Sequence, residues 1–157
     1  MGIGKILLTI DALFLLFATP MADYSDSHIF NPAWKPHAKF HCGQTITLSL
    51  TLGLATLYYT WINPRRIAKL GPASTPAVLA ERLARLKESF RMAGFLGSIY
   101  WLAGLAAILY PNTAGTDPEF PMIGGTDFPQ GRLFPVLSGF AIVGAWLEVR
   151  KLRKLKE

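Results

Sequence analysis

The sequence is poor in the side chains most often used for chemistry. It has a single cysteine, Cys42, which excludes an internal disulfide and any C-x-x-C redox pair. It also argues against a small disulfide-stapled secreted domain. Charge is scarce: 17% of the residues are charged and 51% are hydrophobic, where a soluble domain averages about 25% charged. Acids number only 10 against 16 Lys and Arg, giving a formal charge of +6. Nucleic acid is a poor partner for that excess, because the cations flank apolar runs and line no groove with stacking aromatics. Histidine is scarce too, and all three, His28, His37 and His41, fall within fourteen residues.

What is abundant is apolar length. Runs near residues 3–19, 40–62, 92–110 and 133–149 each approach the 17–25 residues that a spanning helix needs. The expected fold is an all-α, four-transmembrane-helix bundle forming one membrane domain over residues 1–157, with the lipid bilayer as its first partner. Asp11 interrupts the first run and no A-x-A-like site follows it, so that run is expected to be a span and not a cleaved leader. Thirteen cations precede span one, lie between spans two and three or follow span four; three (Lys35, Lys39 and Arg132) lie on the other side. That bias predicts both termini in the cytoplasm. In the cytoplasmic loop, Ser74-Thr75-Pro76 signals a helix start. Val78, Leu79, Leu83 and Leu86 then form an apolar stripe, as in a short amphipathic helix at the membrane surface or the lead-in to span three. Gly94, Ser98, Gly97 and Gly104 in span three, and Gly139, Ala141, Gly144 and Ala145 in span four, predict close helix packing.

The candidate chemistry gathers at the opposite rim. Pro36 suits a first helical turn, which places His37 and His41 at i and i+4 on one face, with Gln44 continuing the stripe. Three uses compete: acid–base catalysis tuned by Asp23, Asp26 or another outer acid, metal binding, and structure. The spacing by itself assigns no metal, since the glutamate of H-E-x-x-H is absent. No cofactor signature is recognisable. Asn31 and Trp34 stand in the rigid segment between His28 and His37 as candidate substrate contacts. Asp11 is a mid-span carboxylate, costly at about 2.5–3.5 kcal/mol on insertion scales and therefore expected to face the bundle interior. By depth, Thr51 and Tyr100 are its expected hydrogen-bond partners. Tyr100 and Trp101 could line a pocket for a flat apolar ligand. In the second outer loop, Gly124-Gly125 suggests a tight turn, either a lid over the histidines or a plain connector.

The stretch His28-Ile29-Phe30-Asn31-Pro32-Ala33-Trp34-Lys35-Pro36-His37-Ala38-Lys39-Phe40-His41 resembles a family of small four-helix membrane proteins of uncharacterised function. Its pattern is H-x-F-N-P-x-W-x-P-H-A-[KR]-F-H. The resemblance implies a compact helical bundle and brings no catalytic assignment. A looser likeness to DoxX-like membrane proteins rests on layout. The leading functional expectation is acid–base chemistry, of isomerisation or cyclisation type, on a small hydrophobic molecule, by His28, His37 and His41 with Asp23 and Asp11. The competing expectations are an accessory subunit of a larger membrane complex, with a membrane protein as partner, and a metal-binding membrane protein.

Overall fold

The computed structural model describes residues 2–71, 73–117, 119–120 and 125–153. Four helices long and apolar enough to cross a membrane account for most of them: α1 (Ile3–Asp23), α2 (Pro36–Ala68), α3 (Pro76–Ala107) and α4 (Gln130–Arg153). The starts follow local chemistry. Pro36 and Pro76 each occupy a first-turn position, where a missing N–H costs nothing. Thr75 caps α3, its hydroxyl accepting from the Val78 N–H at 3.3 Å. The chain leaves α2 through Gly71, whose φ of +82° lies in the left-handed region. Arg82 donates to the carbonyls of Leu70 and Gly71 and ties that turn to α3.

Helices α2 and α3 are longer than the apolar runs within them. The amphipathic stripe at Val78–Leu86 is not a separate short helix. It is the first part of α3, which continues unbroken to Ala107. No glycine or proline interrupts residues 77–93, and Leu83 and Phe90 are buried, so packing against the bundle carries the helix through.

Two helices contain a widened π turn, Phe14–Ala18 in α1 and Tyr58–Ile62 in α2. Each is followed two residues later by a proline, Pro20 and Pro64. A proline has no N–H for the carbonyl four residues back, and its ring pushes against that carbonyl. Those carbonyls belong to Leu16 and Thr60, both inside the π turns, so the widening relieves the mismatch.

The helices run alternately up and down, each neighbouring the next, with α4 returning to α1. The α3–α4 interface is the most extensive. Small residues make it close: a Cβ on Gly94 would meet the Ala145 methyl at 2.5 Å and the Ala141 carbonyl at 3.2 Å. On α1, Gly4 lies against the backbone of Gly144 in the same manner. Lipid tails are as apolar as leucine, so this close backbone approach and its dispersion contacts replace the hydrophobic drive. Gly139 plays no such part, since nothing lies within 4 Å of its would-be Cβ.

The core has two layers. Leu8, Phe90, Ala93, Ala145 and Val149 form one. Leu15, Leu52, Trp101 and Leu137 form the other. On α1, Leu8, Asp11, Ala12 and Leu15 share one buried face, so Asp11 occupies a core position between the layers.

Candidate functional site

At the rim, helix geometry brings His37 and His41 together. Their Nε2 atoms are 3.2 Å apart and their ring centroids 4.6 Å, with the planes nearly perpendicular. Gln44 Oε1 lies 3.2 Å from His41 Nδ1. With that oxygen as acceptor, His41 carries its proton on Nδ1 and a lone pair on Nε2, and His37 Nε2–H donates to it. Phe40 stacks parallel to His37, with centroids 6.2 Å apart.

All three of His37, His41 and Gln44 are exposed. They lie on the surface of the bundle and do not line its mouth. The buried face of α2 runs through Cys42, Ser49, Leu52, Gly53 and Thr56. At about 100° per residue, His41 and His37 point well away from Cys42.

His28 does not join them. Its Nε2 lies 3.8 Å from Asp23 Oδ1 and its Nδ1 is 2.8 Å from the Ser27 hydroxyl. Its ring meets Trp34 edge-on at 5.2 Å. Trp34 Nε1–H donates to Asp117 Oδ2 at 3.0 Å, joining the loop between α1 and α2 to the loop between α3 and α4. Asn31 is 2% exposed, and its Oδ1 accepts from the Ala33 N–H at 2.8 Å. Asn31 and Trp34 therefore shape the loop, Trp34 through Asp117 and Asn31 through its Oδ1. The buried Asn31 Nδ2 has no hydrogen-bond partner among the described residues. In the second loop, Gly124 lies outside the described residues, while Gly125 has a φ of +72°. Among the described residues of that loop, Asp117 reaches Trp34.

The mid-span carboxylate faces inward, as its cost requires. Asp11 is completely buried. Its partner is neither Thr51 nor Tyr100. Trp101 Nε1–H donates to Asp11 Oδ1 at 2.7 Å. Thr51 instead returns its hydroxyl to the Thr47 carbonyl at 2.8 Å on its own helix. Tyr100 faces Thr19. Depth was the right coordinate, but rotation about the axis of α3 decides which neighbour arrives, and it presents Trp101. The second oxygen, Oδ2, has no hydrogen-bond partner among the described residues and lies against Gly97, where any Cβ would collide with it. Trp101 is 2% exposed and packs on Phe134 at a centroid distance of 5.1 Å. Tyr100, partly buried, meets the Trp101 ring edge-on at 5.0 Å, so the two rings pack on each other.

Residues 7–156 match a family model described as a family of unknown function (DUF6640). The chain belongs to that family. No curated protein matches it. No solved structure matches it either. Family membership in DUF6640 therefore adds no activity to the geometry.

Several polar residues of this DUF6640 chain pass unnoticed in the sequence and prove to be built in. Glu148, the one acid of α4, is 6% exposed, and its Oε1 accepts from the Lys5 N–H at 3.2 Å. A carboxylate there shares the Lys5 N–H with the Gly2 carbonyl, 3.1 Å away, and complements the positive end of the α1 dipole. Gly2 and Gly4 make room for it. The signal was available: an acid inside an apolar run needs an inward partner. At the same end Trp61 Nε1–H donates to Thr9 at 2.9 Å, and Asn63 Nδ2 to Ser89 at 3.0 Å. The Lys5 ammonium sits over the Trp61 ring, 5.0 Å from its centroid. Nothing in a single sequence pairs residues so far apart along the chain.

Proposed function

We propose that the chain is a multi-pass membrane protein with both ends in the cytoplasm and an acid–base centre, His37 and His41, at the opposite rim. Its substrate is a small hydrophobic molecule that reaches the pair from the bilayer. The observation that carries this reading is the 3.2 Å contact between two exposed Nε2 atoms. One nitrogen holds a proton and the other a lone pair, so the pair presents a donor and a base side by side. A double-bond shift or a cyclisation needs that combination: a proton delivered to one carbon and another removed nearby. The exposed Phe40 beside the pair offers an apolar surface for the substrate. His28 and Asp23, Asn31 and Trp34 hold the loop that starts α2, and Asp11 acts on helix packing. The test replaces His37 and His41 singly with Gln and profiles the host's membrane metabolites. A changed product pattern in both variants is expected. Unchanged products at normal protein levels would remove the catalytic reading.

The same exposure favours a second reading, a non-enzymatic subunit of a larger membrane complex. An imidazole pair on an open helix surface suits contact with a partner helix as well as with a small molecule. A stoichiometric partner after mild detergent extraction, lost in the His37→Gln variant, would favour it.

A further inference from the structure

We infer that His37 and His41 form a two-imidazole grip for a divalent transition-metal ion, and that their spacing selects zinc. Zinc binds histidine nitrogen at about 2.0–2.1 Å in tetrahedral geometry, which sets two coordinated nitrogens about 3.3–3.4 Å apart. The two Nε2 atoms stand 3.2 Å apart. A square-planar ion with bonds of about 2.0 Å needs about 2.8 Å, a poorer match. The Nε2···Nε2 distance therefore matches the tetrahedral span to within a tenth or two of an ångström, and rotation of the two exposed rings about their side-chain torsions would point both lone pairs at the ion.

Two further observations support the grip. Gln44 Oε1 stands 3.2 Å from His41 Nδ1, so its acceptance of the Nδ1–H keeps the proton off Nε2 and leaves that nitrogen with a lone pair able to bind the ion. That is the outer-shell orientation which metal-bound histidines carry. Both histidines are exposed, so the ion can enter without opening the bundle. For His37 to bind through Nε2, its proton moves to Nδ1, and the neutral pair loses no net proton. Among the described residues no group of three His, Cys, Asp or Glu side chains converges on one point, so protein supplies two ligands. Water, or the phosphate oxygens of lipid headgroups, completes the tetrahedron. A loaded grip has no Nε2 lone pair left for proton exchange, so zinc would silence the acid–base centre proposed above. The inference needs the same two side chains but does not depend on that reading.

The experiment uses the full chain, purified in detergent without a polyhistidine tag and dialysed against zinc chloride, with bound metal counted by elemental analysis. One zinc per chain is expected. His37→Gln and His41→Gln should each abolish it while circular dichroism stays unchanged. Gln44→Leu should weaken affinity about tenfold through loss of the orienting bond. His28→Gln should bind as the unaltered chain does, because His28 is held by Asp23 and Ser27. Absence of bound zinc in the unaltered chain, or its retention at full affinity in His37→Gln or His41→Gln, overturns the grip. An equal loss in His28→Gln overturns it too. None of these binding results depends on the metabolite profile, so the two proposals fail separately.

Discussion

Asp11 and the His37–His41 pair are polar exceptions on apolar helices, and they are housed in opposite ways. Asp11 has three helices around it, a single tryptophan N–H on one oxygen and a glycine pressed against the other. The histidines belong to one helix, face outward and bond to each other and to Gln44. The first arrangement links distant parts of the chain and holds one oxygen against a glycine backbone. The second links nothing beyond its own helix and leaves its nitrogens reachable. A buried polar group in a membrane bundle is thus read as architecture when its neighbours come from other helices. An exposed one with mutual contacts is where reactivity can be sought.

Substitutions can break this contrast, and the largest effect belongs at Gly97. Gly97→Leu puts a side chain where Asp11 and Ala141 already lie, so α1, α3 and α4 cannot all keep their positions. A loss of about 3 kcal/mol is expected, at the upper end of ordinary overpacking, measured by reversible unfolding in mixed micelles. Trp101→Phe keeps most of the ring and removes the donor. It should cost about 1–3 kcal/mol, the penalty for leaving the Asp11 carboxyl without its partner. Stability unchanged in Trp101→Phe would show that Asp11 is satisfied in some other way. His37→Gln and His41→Gln should stay within about 0.5 kcal/mol, as surface changes do. A large loss there would move the pair from chemistry to architecture and erase the contrast.

The sequence made the helices legible because lipid demands long apolar runs with satisfied backbones, and it marked two of their starts through Pro36, Thr75 and Pro76. It also made the i, i+4 pairing of His37 with His41 legible, since that follows from helical pitch alone. The exposure of the pair was not legible. In a membrane helix the lipid face and the packed face are both apolar, so hydropathy along α2 does not say which side looks inward. The partner of Asp11 was hidden for the same reason. Tyr100 and Trp101 are adjacent in sequence and about 100° apart around α3, and only the packed bundle chooses between them. Pro20 and Pro64 carried a readable warning of local widening, but the compensating π turns required the structure.

The proposed orientation, with the histidines across the bilayer from the basic ends, is tested most directly by labelling single cysteines. In a Cys42→Ala background, His37→Cys, Lys69→Cys and Lys151→Cys are each exposed to a membrane-impermeant maleimide, first on intact cells and then after the membrane is opened. Labelling of position 37 from outside the cytoplasm, with positions 69 and 151 protected until opening, is the expected result. Labelling of position 37 from the same side as 69 and 151 would contradict the account.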